Sequence, residues 1–233
     1  MHQRIDQLDW QEIAGQMNNS GYALLNQLLT AEECNALKGL YDQNDLYRKT
    51  IQMERYRFGS GEYKYFSYPL PRIIEQLRQT VYSHLASVAN KWMEVLGIEN
   101  RFPATHAELI KLCHTHQQTR PTPLILRYGK GGYNTLHQDL YGEVFFPMQM
   151  VLFLDEPGKD YEGGEFVLIE QQPRAQSKAI VLRPKKGDIL IFTTNFRPVK
   201  GSRGYYRVNM KHGVSEVTAG NRHTLGIIFH DAA

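Results

Sequence analysis

Two imidazoles, a carboxylate and a guanidinium define the chemistry open to this chain. His137 and Asp139 stand two residues apart at the end of Leu124-Ile-Leu-Arg-Tyr-Gly-Lys-Gly-Gly-Tyr-Asn-Thr-Leu-His-Gln-Asp139, an apolar run followed by a glycine-rich turn. Side chains alternate along a strand, so residues i and i+2 share a face and can grip one ion. His212, which closes a later run just before Gly213, is the best source of a third ligand. Two imidazoles and a carboxylate form the facial triad of non-haem Fe(II), which leaves the opposite octahedral face open; Mn, Co or Ni can replace the iron on such ligands. A lone His-x-Asp recurs by chance as a surface pair, so its company decides the matter. No other histidine is expected to bind the metal, and His230 is the nearest rival because it also ends an apolar run. Cys113-His-Thr-His116 lacks the second spaced pair of a structural zinc site and reads as a polar helix end.

Arg222 follows His212 by ten residues at the start of the last apolar run, and Thr224 shares its face. A buried guanidinium needs an anion, and no neighbouring residue supplies one. A dicarboxylate would. 2-Oxoglutarate can chelate the metal through its 2-oxo acid end and place its distal carboxylate on Arg222, with the Thr224 hydroxyl alongside. Should Arg222 not serve, Arg127 is the next candidate, although it alternates with Tyr128 and only one of the two can face a barrel interior.

A single core must position these groups. The chain has 233 residues, 42% apolar and 22% charged, which suits one soluble domain with little disorder. A polar start, Met1-His-Gln-Arg-Ile-Asp-Gln-Leu-Asp9, lacks the basic and apolar regions of a secretory signal, no apolar stretch is long enough for a membrane span, and the two cysteines suit buried thiols; a cytoplasmic location is expected. Net charge of +3 is mild and does not name a partner. Residues 1–120 read as helical support and lid: a short helix from Trp10 to Met17, a loose strand from Tyr22 to Leu29, a capping box at Thr30-Ala-Glu-Glu33, and a long helix within Pro69 to Leu96 with apolar residues at spacings of three and four. Another helix is expected from Thr105 to His116. Ile51 to Tyr68 reads as a loop in which Arg55, Arg57 and Lys64 interleave with aromatic rings, suited to stacking on a base, wrapping a peptide or simply packing on the barrel. From residue 121 to 233 short apolar runs separated by turn signals predict a jelly roll, the double-stranded β-helix, as the catalytic core.

The ordered set His137, Asp139, His212 and Arg222 resembles the Fe(II)/2-oxoglutarate-dependent oxygenase superfamily, in which His-x-Asp, a distal His and a later Arg recur in that order. Arg222-His-Thr224 is similar to the Arg-x-Ser pair that many members set against the distal carboxylate. Leu126-Arg-Tyr128 with Leu136-His-Gln-Asp139 looks like a segment of AlkB-like demethylases, which implies that Tyr128 contacts the cosubstrate; Leu126 replaces their Asn, and their second arginine on the last strand has no counterpart. Gly163-Gly-Glu165 and Gly187-Asp-Ile-Leu-Ile-Phe192 are closer to prolyl-hydroxylase-like members. Over most of its length the chain resembles a bacterial family of uncharacterised oxygenases proposed to demethylate alkylated nucleic acid. That resemblance implies Fe(II), 2-oxoglutarate and O2, with ascorbate as a stimulant.

Three functions compete. The first is oxidation of a methylated base in single-stranded or alkylated nucleic acid, relevant to DNA repair, with Arg197, Lys200, Arg203, Arg207 and Lys211 forming a carboxylate-free basic run that could meet phosphates; Arg197, Arg203 and Arg207 are the expected substrate contacts. The alternative for that run is an ordinary solvated loop. The second is hydroxylation of a protein or peptide side chain, and the third a non-catalytic cupin-like binding module. Arg222 speaks against the third, since a non-catalytic barrel has no need of a buried cation there.

Overall fold

The computed structural model describes residues 2–233, the side chain of His2 excepted. In chain order it contains α1 (His2–Asp6), α2 (Trp10–Ser20), β1 (Tyr22–Leu25), α3 (Ala31–Gly39), β2 (Tyr47–Gln52), β3 (Gly59–Ser60), β4 (Glu62–Phe66), α4 (Arg72–Val95) and α5 (His106–Thr115). There follow β5 (Leu124–Tyr128), β6 (Tyr133–His137), β7 (Met148–Phe153), β8 (Tyr161–Gly163), β9 (Phe166–Gln171) and β10 (Lys178–Leu182). The chain finishes with β11 (Ile189–Thr193), β12 (Phe196–Gly201), β13 (Gly204–Val214), β14 (Val217–Gly220) and β15 (Arg222–Ile228).

Local chemistry sets the helix ends. Thr30 and Thr105 each accept from the backbone N–H three residues on, while Glu33 and Glu108 reach back to the cap, so two orphan donors are satisfied at each start. Along α4, Ile74, Leu77, Val81, Leu85, Val88 and Trp92 are buried at spacings of three and four, and Gly97 leaves the helix with a positive φ of 66°.

The strands form a jelly roll of two antiparallel sheets, with β8 and β14 paired separately. The major sheet runs β1-β11-β7-β15-β5-β4-β2; the minor sheet runs β10-β9-β13-β6-β3, with β12 also on β13. Alternation divides the core. On β7, Met150 and Leu152 join Ile125, Ile191 and Leu225 in the cluster under the helices, whereas Val151 and Phe153 join Leu168, Phe192 and Met210 between the sheets. No helix among the described residues is long and apolar enough to cross a membrane.

The first 120 residues are not purely helical support. Four of their strands enter the sheets, and the expected loop from Ile51 to Tyr68 contains β3 and β4, with β4 lying between β5 and β2. Charge hid it. Lys64 on β4 is buried because its ammonium lies 4.3 Å from the centre of the Tyr41 ring and donates to Tyr41 O at 2.9 Å, partners supplied by a distant turn.

Candidate functional site

β13 and β6 pair with His212 directly opposite His137, which sets the two imidazole rings 4.2 Å apart. Asp139 is not on the strand, as the i, i+2 argument required, but two residues past its end. The turn nevertheless returns its carboxylate to the pair. Asp139 Oδ1 lies 3.5 Å from His137 Nε2 and Oδ2 lies 3.3 Å from His212 Nε2, and one ligand atom from each residue falls within 4.8 Å of the others. His137 Nδ1 is 2.7 Å from Thr135 O, so that nitrogen donates and Nε2 keeps its lone pair toward the cluster.

Both oxygens of the carboxylate are held. Tyr141 Oη donates to Asp139 Oδ1 at 2.9 Å and Gln149 Nε2 donates to Oδ2 at 2.8 Å. Sequence reasoning passed over these two residues, although each left a signal: Tyr141 continues the i, i+2 series, and Gln149 is the lone amide in the apolar run Phe145 to Leu154. Burial by itself would raise the Asp139 carboxyl, but the positive character and hydrogen bond of His212, then His137 and Gln149, hold it well below the usual range. Burial, reinforced by His212, lowers His137, which favours the neutral imidazole that a metal needs. The rival His230 stands outside the cluster, accepting from Phe146 N at 3.1 Å and pushed down to about 4 chiefly by burial.

Arg222 opens β15 opposite Tyr128 of β5, and Thr224 lies on the same face opposite Phe153 of β7. The guanidinium carbon sits 5.5, 5.6 and 5.9 Å from the ring centres of Tyr128, Phe153 and Tyr161. The residue is 1% exposed, yet its Nε and Nη1 have no hydrogen-bond partner. Arg127 points the other way, over the Tyr41 ring at 4.6 Å and 3.9 Å from Glu62. Arg222, Thr224 and Tyr128 line the same cavity as His137, Asp139 and His212, a space of about 260 Å³ walled in part by Phe58, Tyr63, Tyr65 and Tyr141. Nitrogen and oxygen donors converging at one point suit a first-row divalent metal, and an unpaired buried guanidinium suits a carboxylate.

The expected substrate cations are not at this cavity. Arg197 is buried and bonded to Glu170 of β9 through Nη2 at 2.6 Å and Nε at 3.2 Å, so a carboxylate from outside the run already occupies this side chain. Arg207 is exposed, stacked over Phe196 at 4.3 Å, and has the opposite parity on β13 to His212, so it faces away from the cavity. Arg203 lies in the turn between β12 and β13. The aromatic segment does reach the mouth: Phe58 lines the cavity, and its carbonyl accepts from Thr135 N at 2.9 Å and Thr135 Oγ1 at 2.8 Å.

A family model described as an oxygenase catalysing oxidative methylation of damaged DNA, Oxygenase-NA, matches residues 61–232. An uncharacterised protein of Mycobacterium tuberculosis is 46% identical over 168 residues, 72% of each chain. Among solved structures, a prolyl-4-hydroxylase from Pseudomonas putida is similar with a TM-score of 0.57 at 14% identity, covering 96% of this chain and 99% of its own. An oxidoreductase of the 2OG-Fe(II) oxygenase family from Burkholderia pseudomallei gives a TM-score of 0.53 at 16% identity, covering 97% and 94%. At such identities these two likenesses concern the fold alone.

Proposed function

The chain belongs to the Oxygenase-NA family of oxygenases and has the fold of the 2-oxoglutarate/Fe(II) oxygenases, and on that footing we propose that it is a 2-oxoglutarate-dependent dioxygenase that oxidises a methyl group on a base of damaged nucleic acid. The whole chain is taken as one oxygenase domain, working with O2 and stimulated by ascorbate. The observation that carries this reading is the buried Arg222 guanidinium, with Nε and Nη1 unpaired, lining the same cavity as the His137, Asp139 and His212 cluster. An oxygenase adds oxygen to carbon already present, so the family's damaged-DNA chemistry is read as oxidation of an existing methyl group, released as formaldehyde.

His137, Asp139 and His212 would hold the Fe(II), which supplies activation of O2 coupled to decarboxylation of 2-oxoglutarate. The protein's own part is positioning. Thr135 O fixes the His137 tautomer, Gln149 and Tyr141 orient Asp139, and Arg222 with Tyr128 and Thr224 receives the distal carboxylate. Phe58, Tyr63, Tyr65 and Tyr141 give the cavity flat walls that suit a planar base.

The test incubates the protein with Fe(II), 2-oxoglutarate, ascorbate and parallel panels of methylated oligonucleotides and methylated or proline-bearing peptides, read by mass spectrometry. Succinate, formaldehyde and a demethylated oligonucleotide are expected, all lost in His137→Ala. Hydroxylated peptide with untouched oligonucleotides would replace this reading with that of a protein hydroxylase. Normal iron content and succinate formation in His137→Ala would overturn the triad.

A further inference from the structure

The two faces of the minor sheet differ in kind. Alternation along β13 sends Val208, Met210 and His212 inward, all buried, and Tyr205, Arg207 and Lys211 outward, all exposed. The register carries the outer face across the sheet: Lys211 is opposite Ile169 and then Ala179, and Gly213 is opposite Val167 and then Val181. From β6, Tyr133 precedes the cavity-lining Asn134 and so faces outward, and Leu136 packs where a Cβ on Gly213 would meet it at 3.3 Å. Helices α2 and α4 close on β1, β11, β12 and β15, away from β9, β10 and β6.

Among the described residues, four of the eight exposed large hydrophobics, Tyr133, Leu136, Val181 and Tyr205, therefore lie along one open face, the first three around Gly213 and Tyr205 eight residues away on the same strand. Their charged neighbours there are cations. Among the described residues of β6, β9, β10 and β13 no carboxylate shares this face, because Glu170 has inward parity and is bonded to Arg197. Exposed rings and cations on a sheet are the two elements that hold splayed nucleotides, rings stacking on bases and cations following phosphates.

We propose that this outer face, centred on Tyr205, Arg207 and Lys211 with Tyr133, is a docking surface for single-stranded nucleic acid, separate from the cavity that takes the reacting base. The inference rests on the nucleic-acid reading above and assigns the strand a track outside the oxygenase cavity. Charge selects this occupant over a second copy of the chain: Glu165, just before β9, is matched by Arg183 at 3.8 Å, which leaves Arg207 and Lys211 in excess, and a two-fold contact through them would set like charges together. Leu136 on this face adjoins His137 on the other, so the surface continues along β6 to the lip of the site.

The test measures anisotropy of a labelled, unmodified single-stranded DNA at several salt concentrations with the full chain, with Arg207→Glu/Lys211→Glu, with Tyr205→Ala, and with Arg55→Glu/Arg57→Glu in the segment that leads into the cavity-lining Phe58. Circular dichroism and Co(II) binding verify that each variant is folded. Charge reversal on the outer face is expected to weaken binding about tenfold or more and to flatten the log–log salt slope by about 0.7 for each phosphate no longer neutralised. Tyr205→Ala is expected to weaken binding roughly fivefold or more. Salt-dependent binding that ignores both outer-face variants but is lost at Arg55 and Arg57 overturns this surface and leaves the substrate reading intact. Negligible binding by the wild type at low salt overturns both. A solution dimer dissolved by the charge reversal, without DNA binding, overturns it in favour of self-association.

Discussion

Two arginines of this protein are equally buried, at 1% exposure each, and they do opposite things. Arg78 on α4 has every arm occupied: Nε donates to Ile228 O at 2.9 Å, Nη1 to Tyr68 Oη at 2.9 Å, and Nη2 to Asp231 Oδ1 at 2.7 Å and to Thr122 Oγ1 at 3.4 Å. It ties the long helix to the end of β15. Arg222, at the other end of the same strand, lies among three rings with Nε and Nη1 unpaired. Burial alone does not distinguish a structural cation from a binding one; the accounting of its donors does. A charge removed from water without partners is costly, so the unpaired Nε and Nη1 of Arg222 at the wall of a cavity are donors that a ligand could satisfy.

That contrast can be broken most forcefully at Arg78. Arg78→Met leaves Asp231, itself fully buried, without its principal cation, and should cost about 3–5 kcal/mol of stability, read as a melting temperature lower by roughly 10 °C or more. Unchanged thermal stability would show that the satisfied arginine is not structural.

Arg222→Met should behave in reverse. With Nε and Nη1 already unpaired and only the Tyr161 hydroxyl to orphan, the variant should stay close to wild-type stability, while the 2-oxoglutarate requirement for succinate formation rises roughly 10- to 100-fold, as expected from losing about 1.5–3 kcal/mol of charge-assisted hydrogen bonding. Mn(II) plus 2-oxoglutarate should raise the melting temperature of the wild type more than that of the variant. Equal shifts in the two proteins would move the carboxylate site elsewhere.

Gln149 sharpens the same principle on a smaller scale. Its Nε2 is committed to Asp139, yet its buried Oε1 has no partner. Turning the amide over would set oxygen against carboxylate, so the acceptor stays aimed at the cavity. Gln149→Leu should weaken Co(II) binding about tenfold and alter the visible spectrum of the Co(II) protein, because the hydrogen bond orienting a ligand carboxylate is gone. An unchanged affinity and spectrum would reduce Gln149 to a packing residue.

Much of this was legible in the sequence. The apolar run that starts at Leu124 and stops at a glycine-rich turn became β5, and Thr30 with Glu33 announced a cap that the structure contains. The facing rule also held between Arg127 and Tyr128, which point to opposite sides of β5. The same rule could have turned Arg207 away from His212, because the sequence already reads Tyr206 to His212 as one strand, but the basic run from Arg197 to Lys211 was weighed for its charge and not for its faces. The strands β3 and β4 escaped notice because glycines and charged residues interrupt their pattern, and the partners that bury Lys64 lie about twenty residues earlier.

The sequence by itself determined the chemical inventory and its order: two imidazoles, a carboxylate, and a guanidinium on the last strand beside a hydroxyl. It also determined the local periods from which helices and strands follow, since both depend on neighbours within a few residues. Only the tertiary structure decided that Asp139 returns to the imidazoles from beyond the strand, that Gln149 braces it, that Arg197 is bonded to Glu170, and that one buried arginine is satisfied while the other is not. Each of those outcomes depends on groups brought together from distant parts of the chain, and hydrogen bonding and Coulomb attraction act through space at contact distance, whatever the separation in sequence.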